Sequence, residues 1–416
     1  MTGNERFLTI YQLLNAIAIA IGANWVVTDM ILLHMKFDLA LFGVVKSSMF
    51  LVPALAYWAA AGVLRKWNRD RLVCLWSYLG RILLPLALPI VAMATADREI
   101  RFGVSLAVFA GGYTLALFAN NSLLSLYRGA LPPAEFNRNG LLLSALPGPV
   151  AMLTALPAVW LLGRIREEQF FPLLLIIHLL TLLPEIPAAA ALLRVRVPER
   201  PRPDSLRFQE WLMPFGDGKF RPLLVFSFLH AFWMGVPATY LVVFLLKIRD
   251  FPPFGIALIE FALSVAAVVG ARLAGRLADR FGYAAVMAAG AAAITAVSIL
   301  WVIYPAAALP LFLFLFCIEN GNNGFVAVTL RNLEGCAAAA LAAPGRINGY
   351  VAAFTLVQAV GCFIGCLFAG PLFALLPGNQ MEQFHLLFAI AVLPAAAMMF
   401  FSFYWLNKRK AAYAVN

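Results

Sequence analysis

Long apolar runs alternate with short polar segments along the whole sequence. A run of roughly 20 apolar residues is long enough to cross a bilayer as a helix, and a backbone in lipid must satisfy its own hydrogen bonds. The pattern therefore predicts an all-α integral membrane protein with twelve transmembrane helices. The predicted spans cover residues 7–33, 39–64, 72–94, 102–127, 141–162, 170–193, 222–246, 254–273, 284–303, 306–328, 348–375 and 384–406.

The composition points to the same class of protein. Apolar residues make up 63% of the chain and charged residues 12%, whereas soluble domains have about half and a quarter respectively. The first apolar run is too long for a cleavable signal peptide and lacks a small-residue cleavage site, so we expect an uncleaved anchor.

Basic residues are distributed unevenly among the connecting segments. If the N-terminus is cytoplasmic, most of the 31 Lys and Arg residues fall on the cytoplasmic side, as the positive-inside rule expects. We therefore predict a multi-pass protein of the inner or plasma membrane with both termini cytoplasmic. A bilayer partner accounts for the net charge of +11, and no nucleic-acid partner is expected.

The sequence divides into two similar halves. A proline-containing polar segment at residues 194–220 is interpreted as a cytoplasmic linker between an N-terminal half, 1–193, and a C-terminal half, 221–416. The fourth predicted span ends near Asn120 and Asn121, and the tenth ends near Asn322 and Asn323, about 200 residues later. This repeat indicates two halves of six spans that run in the same direction.

The string GRLADRFG at residues 275–282 follows the eighth predicted span. It resembles the cytoplasmic signature loop of the major facilitator superfamily, which has a glycine, a leucine two residues on, an aspartate four residues on, an adjacent arginine and a further glycine. In the first half Gly62 and Leu64 match, but Lys66 and Arg69 replace the aspartate and the last glycine. The resemblance implies two pseudo-symmetric six-helix bundles, alternating access and a monomer.

The resemblance also implies gating roles for the motif, which ends at Gly282. Gly275 would let neighbouring helices approach closely, and Asp279 would face a helix N-terminus across the interface of the halves, where a carboxylate is stabilised. Arg280 would join a charge network at the cytoplasmic rim. Beside the fifth span, Arg138 is interpreted as a further gate element.

A carboxylate near the middle of the tenth predicted span is the leading coupling candidate. Glu319 is followed by Asn320, Asn322 and Asn323, and a midplane carboxylate is costly unless it is paired or takes up a proton. We hypothesise proton coupling at Glu319. The alternative is a hydrogen bond to a neighbouring helix, with no titration.

Other polar and aromatic residues lie on helices that line the central cavity in the resembled family. Amides exchange hydrogen bonds with hydroxyl groups, and indole rings stack on apolar faces, so such a set suits a hydroxylated solute. The tryptophans could equally serve packing, and the histidine an interhelical hydrogen bond. The candidate substrate residues are Asn24, Trp25, Asn120, Asn121, His230 and Trp233.

Two ion pairs are predicted from the depths of charged residues within the spans. Asp29 and Lys46 both lie near the outer ends of their spans, and Arg81 and Glu185 both lie in the inner third. Because an unpaired charge in lipid is costly, we interpret each set as a structural pair.

Signals of enzymatic chemistry are thin. The sequence has no Walker loop, no Gly-x-Ser-x-Gly elbow and no histidine pair with metal-ligand spacing. The five cysteines are interpreted as small apolar residues. We therefore expect no enzyme, no cofactor and no metal site.

The sequence-based hypothesis is a secondary transporter, a proton symporter of a small organic solute such as a sugar. Efflux of amphipathic compounds and a non-transporting membrane scaffold or sensor are the alternatives.

Overall fold

The computed structural model describes residues 3–67, 70–130, 147–195, 208–303, 325–341 and 347–414. Every regular element in these residues is helical. The chain forms two compact units. Unit 1 comprises Met1–Asp38, Ser48–Ser205 and Phe251–Ala262, and unit 2 comprises Leu39–Ser47, Leu206–Asp250 and Leu263–Asn416. The predicted division into halves 1–193 and 221–416 stays a prediction.

Unit 1 contains α1 to α10, apart from the first nine residues of α4. These helices are α1 (Gly3–Ala18), α2 (Ala20–Ala23), α3 (Trp25–His34), α4 (Leu39–Trp67), α5 (Asp70–Leu83), α6 (Ala87–Ala94), α7 (Arg98–Ala130), α8 (Pro147–Leu162), α9 (Glu167–Thr181) and α10 (Glu185–Leu193). Within the unit, α5 packs on α7, and α1 packs on α8 and α10.

The first predicted span is not one continuous helix. It is broken into α1, α2 and α3, and Asn24 adopts an extended conformation at the second break. The Asn24 side chain accepts a hydrogen bond from the Val27 backbone N–H at 3.1 Å. This N-cap satisfies one of the backbone donors that a helix start leaves unpaired.

The third predicted span is also interrupted. A 3₁₀ turn at Leu84–Leu86, which contains Pro85, joins α5 to α6. Proline has no backbone N–H and its ring crowds the preceding turn, so the regular α-helical ladder stops there.

A cluster of buried residues packs α1, α5 and α10 of unit 1 together. The rings of Tyr11 and Tyr78 meet edge to face with 5.6 Å between their centroids. The Tyr11 hydroxyl lies 3.4 Å from the Cys74 thiol, and Leu8 and Leu192 are completely buried beside them. The cluster ties α1 and α5 to α10.

The described residues of unit 2 form seven helices, of which α13 begins in unit 1 with residues up to Ala262. They are α11 (Phe208–Gly216), α12 (Arg221–Lys247), α13 (Pro253–Phe281), α14 (Tyr283–Ile303), α15 (Phe325–Leu341), α16 (Ile347–Leu375) and α17 (Gln380–Ala414). The most extensive packing is between α12 and α16, followed by α14 against α17 and α12 against α17.

Glycines bring the backbones of α12 and α16 into direct contact. A Cβ added at Gly235 would lie 2.6 Å from the Cys362 carbonyl oxygen and 3.0 Å from the Gly365 Cα. One at Gly361 would lie 2.7 Å from the Phe228 carbonyl oxygen. The GxxxG spacing of Gly361 and Gly365 is the arrangement that lets membrane helices approach closely.

Nine helical stretches in the described residues are long and apolar enough to cross a membrane. They match nine of the twelve predicted spans, so the chain is a multi-pass membrane protein. The first span is interrupted by its breaks. The fifth and tenth fall partly outside the described residues, so the count of twelve stays a prediction.

Two predicted boundaries are wrong. The tenth span was predicted to end at residue 328, but α15 continues to Leu341. The signature string was predicted to be a loop, but α13 runs through it to Phe281 and leaves only Gly282 between helices. Gly282 has φ +82°, a left-handed conformation in which glycine commonly ends a helix.

The glycine contact between α12 and α16 yields a stability prediction. In Gly365→Ala the new methyl group would clash with the Phe232 carbonyl oxygen, which is rigid backbone. Overpacking of this kind costs about 1–3 kcal/mol, so we expect a clearly lowered melting temperature in detergent. Gly103→Ala is the matched control, because a Cβ there meets nothing within 4 Å. Equal melting of both variants and the wild type would contradict this packing.

Candidate functional site

Three polar side chains meet inside unit 2, on three different helices. The His230 Nδ1 on α12 is hydrogen-bonded to the Glu334 carboxylate on α15. The other carboxylate oxygen accepts a bond of 2.9 Å from the Gln358 side-chain amide on α16. His230 is 1% exposed and Glu334 is 0% exposed, so these two side chains are shielded from solvent, whereas Gln358 is half-buried.

Aromatic rings enclose the imidazole. The His230 and Trp233 rings are stacked with 5.9 Å between their centroids, and the Phe226 ring lies 6.2 Å away. The Trp233 indole donates a hydrogen bond of 3.3 Å to the Ser298 hydroxyl. His230 Nε2, by contrast, has no hydrogen-bond partner among the described residues, so one ring nitrogen remains available to a proton or a polar ligand.

The triad lies well inside the membrane-spanning part of unit 2. At 1.5 Å per residue, His230 is about 13 Å along α12 from its start at Arg221. Gln358 is about 12 Å along α16 from Tyr350. The two estimates agree because the Phe220 and Tyr350 rings pack together at the start of the helices, with 4.7 Å between their centroids.

A second polar contact fixes the same end of the bundle. The Tyr350 hydroxyl donates a hydrogen bond of 2.7 Å to the Asp217 carboxylate, and the Lys219 backbone N–H donates another of 2.8 Å. Asp217 lies before the span that begins at Arg221. These two bonds to the charged form, chiefly that from Tyr350, lower the pKa of Asp217 below its ordinary value.

Several sequence-predicted site residues lie outside what the structure describes. Glu319, Asn320, Asn322, Asn323 and Arg138 fall outside the described residues altogether. Asn120 and Asn121 lie on α7, Trp25 on α3, and Gly275 and Asp279 on α13, but their surroundings are not described. Their roles stay predictions.

The structure places the remaining candidates as follows. His230 and Trp233 are brought together in unit 2, whereas Asn24 is in unit 1 and caps α3. The Asn24 amide nitrogen is also 3.5 Å from the Met152 sulfur. Arg280 is exposed, with its guanidinium carbon 5.1 Å from the centroid of the Phe281 ring.

The two predicted ion pairs have different outcomes. In the described residues no ion pair joins Arg81 to Glu185, and both Glu185 oxygens are buried without a hydrogen-bond partner; this prediction is wrong. Lys46 donates a 3.1 Å hydrogen bond to the Thr239 carbonyl oxygen inside unit 2. Asp29 is buried in unit 1, and its pairing with Lys46 stays a prediction.

Sequence reasoning missed Glu334 and Gln358. Glu334 lies beyond residue 328, where the tenth span was predicted to end, although a run of small apolar residues begins two positions later. Gln358 is a lone amide inside an apolar span. Polar residues embedded in apolar runs were the available signal, because such residues face the protein interior rather than lipid.

Comparison with known proteins gives a consistent result at the level of the fold. No protein-family model matches the sequence, and no curated protein matches it. Solved structures do match over nearly the whole chain. A bacterial homologue of the iron transporter ferroportin, in its inward-facing state, has a TM-score of 0.71 at 16% identity and covers 96% of this chain and 98% of its own.

Two further matches have the same extent. The nucleoside transporter NupG has a TM-score of 0.67 at 15% identity, covering 96% of this chain and 99% of its own. A bacterial homologue of the human lysosomal transporter Spinster has a TM-score of 0.70 at 15% identity, covering 98% of both chains. This chain has the major facilitator fold. At such identities the likeness shows the fold, and the sequence-based resemblance to the major facilitator superfamily is confirmed at that level.

The major facilitator fold of this chain carries a buried His–Glu pair in unit 2, to which the half-buried Gln358 is hydrogen-bonded. Two substitutions of Glu334 distinguish the contribution of its hydrogen bonds to stability from that of its charge. In Glu334→Leu the His230 ring and the Gln358 amide lose their acceptor inside a dry interior, which costs about 3–5 kcal/mol for a broken buried charged pair. Glu334→Gln keeps the shape and an acceptor oxygen, so we expect a much smaller loss. Thermal unfolding in detergent measures both, and equal losses would contradict the assigned hydrogen bonds.

The Asp217–Tyr350 contact predicts a pH-dependent stability. Because the pKa of Asp217 is lowered in the folded protein, its contribution is fully present above the ordinary aspartate value of about 4. It is lost only as the pH falls through the lowered value. The difference in melting temperature between wild type and Tyr350→Phe should thus be constant from neutral pH to about pH 5 and shrink in stronger acid. A difference that grows on acidification would contradict it.

Proposed function

We propose that this protein is a secondary transporter that moves a small organic solute across the inner or plasma membrane by alternating access, with proton symport as the energy source. The major facilitator fold supports transport. The observation that carries the coupling proposal is the buried His230–Glu334–Gln358 triad. We further propose that the protein acts as a monomer with both termini in the cytoplasm.

The triad suits proton coupling because of its burial and its composition. An imidazolium and a carboxylate together carry no net charge, and so do a neutral imidazole and a carboxylic acid. One more proton gives the pair a net positive charge, which is costly in a low-dielectric interior. Proton uptake would therefore accompany a state in which water or solute reaches the triad, and proton release would accompany its closure.

The second ring nitrogen of His230 is the proposed position for proton uptake and release. While Nδ1 is bonded to Glu334, His230 Nε2 is the atom without a partner among the described residues. It is the position at which a proton arrives or a solute hydroxyl group binds. Gln358 holds the carboxylate from the other side, so the carboxylate keeps its orientation when the imidazole changes its bonding.

The substrate class rests on sequence arguments. We propose a neutral or weakly charged polar solute such as a sugar, on the basis of the amide and indole residues predicted to line the cavity. Glu319, with Asn320, Asn322 and Asn323, remains the sequence-based candidate for a second coupling or substrate position. Two carboxylates are thus separate candidates for the same proton, and mutagenesis distinguishes them.

The transport test uses purified protein in liposomes with an inward proton gradient and a panel of labelled sugars and related hydroxylated solutes. One pH unit is worth about 1.4 kcal/mol, so symport with one proton supports about tenfold accumulation per unit. We expect accumulation by wild type and by Glu168→Gln, an exposed carboxylate in the first turn of α9. Glu334→Gln should equilibrate the solute without accumulating it.

Solute counterflow, which needs no net proton movement, is the accompanying measurement. Preserved counterflow with lost accumulation in Glu334→Gln assigns coupling to the triad, whereas the same result in Glu319→Gln alone assigns it to Glu319. Gradient-independent flux equal in all variants would show a facilitator and remove the coupling proposal. Export of hydrophobic cations would support efflux, and a complete absence of flux would favour a scaffold.

A further inference from the structure

A cleft in unit 1 lies where the broken first span meets the kinked third span. It extends along α1 to α3, α5, the 3₁₀ turn, α6, α7 and α9. Both interruptions line it, since Gly22 of α2 and Pro85 of the turn are part of its wall. The polar side chains that line the cleft are Thr28, Arg81, Tyr113, His178 and Thr181.

Arg81 is the only charged residue that lines this cleft in the described part of the chain. It has no hydrogen bond, ion pair or ring contact with any described residue, and it is not paired with Glu185. The guanidinium carries five N–H donors and stays charged. Such a group inside a membrane protein calls for a counter-charge.

The depth of Arg81 strengthens this requirement. It lies about 16 Å along α5 from Asp70, inside the membrane-spanning stretch Arg71–Ala94. Thr28 also lines this space, and its hydroxyl has no hydrogen-bond partner among the described residues. His178 Nδ1, by contrast, is already 2.9 Å from the Leu174 carbonyl oxygen.

The remainder of the lining is apolar, with side chains that include Ile82, Leu88 and Phe109. Helices beside the cleft also expose apolar side chains, such as Leu83 at 44% and Leu180 at 58%, as surfaces in contact with lipid do. A ligand bound in this cleft would contact one cationic group, one hydroxyl donor and otherwise apolar side chains. A small hydrated anion would leave that wall unused.

Gly112 provides an independent indication of open space. It lines the cleft on α7, and a Cβ added there would meet nothing within 4 Å. The empty volume beside α7 therefore lies in the same cleft as the Arg81 guanidinium.

We propose that this cleft is a binding site for an anionic amphiphile, a molecule with a single carboxylate or phosphate head group on an apolar body. The head group pairs with Arg81, in the bidentate geometry that guanidinium groups favour, and accepts a hydrogen bond from Thr28. The apolar body lies against Ile82, Leu88 and Phe109. The site is within unit 1 and does not depend on the triad in unit 2 or on the proposed transport.

The test uses the whole protein in nanodiscs of phosphatidylcholine and a C16 fatty acid with a photoreactive diazirine on its chain. After illumination, mass spectrometry maps the labelled residues. We expect labelling on α5 to α7 around Ile82 and Phe109 in the wild type. Loss of a charge-assisted pair should reduce it about tenfold in Arg81→Gln. The C16 alcohol with the same diazirine should label weakly.

Two further variants test the site without changing Arg81, in case Arg81→Gln fails to fold. Gly112→Leu fills the cleft but leaves the guanidinium in place, so labelling should fall. Gly103→Leu lies on the same helix with equally open surroundings but outside the cleft, and it should label like the wild type. Equal labelling by acid and alcohol, or unchanged labelling in both Arg81→Gln and Gly112→Leu, would overturn the site.

Competition identifies the source of the ligand. Displacement of the probe by unlabelled fatty acid or by an anionic phospholipid, but not by acetate or inorganic phosphate, supports an amphiphile taken from the bilayer. A water-soluble amphiphile such as dodecyl phosphate, added without lipid exchange, tests entry from solution. Displacement by acetate or inorganic phosphate alone would overturn the requirement for an apolar body.

Discussion

The direct backbone contact between α12 and α16 is the constraint on which unit 2 depends. Gly235, Gly361 and Gly365 remove the side chains that would otherwise separate the two helices. In lipid, association gains little from hydrophobicity and depends on close packing and interhelical hydrogen bonds. The short separation fixes the relative depth of residues on the two helices, and this is why a histidine on α12 and a glutamine on α16 bind one carboxylate.

The two units differ in whether their buried polar groups have hydrogen-bond partners. In unit 2 the buried Glu334 carboxylate is bonded on both oxygens, as a buried polar group requires. In unit 1, Glu185 is buried and Arg81 half-buried, and neither has a hydrogen-bond or ion-pair partner among the described residues. An arrangement that is satisfied internally favours a rigid state, whereas an unsatisfied one depends on a proton or a ligand from outside.

The sequence predicts the fold well because apolar length is a strong and local signal. In the part of the chain that the structure describes, nine of the predicted spans reappear as helical stretches of sufficient length. The candidate site was harder to predict, because the depth of a residue depends on where its helix begins in the bundle. Glu334 closely follows the basic residue Arg331, as residues of a cytoplasmic loop do, yet its contact with His230 places it within the membrane-spanning part of unit 2. Asn24 stays a candidate for binding a solute, and the sequence did not predict the break in the helix that gives its side chain a capping role.

The cysteines of both units have a practical consequence. Cys74 lies under Tyr11, and Cys362 and Cys366 lie in the tight contact between α12 and α16, all three buried and free of disulfides. Thiol reagents modify the solvated thiolate, so these positions are chemically silent in the folded protein. A new cysteine introduced on an exposed surface can thus carry a fluorophore or a spin label against a background to which these three native thiols contribute little.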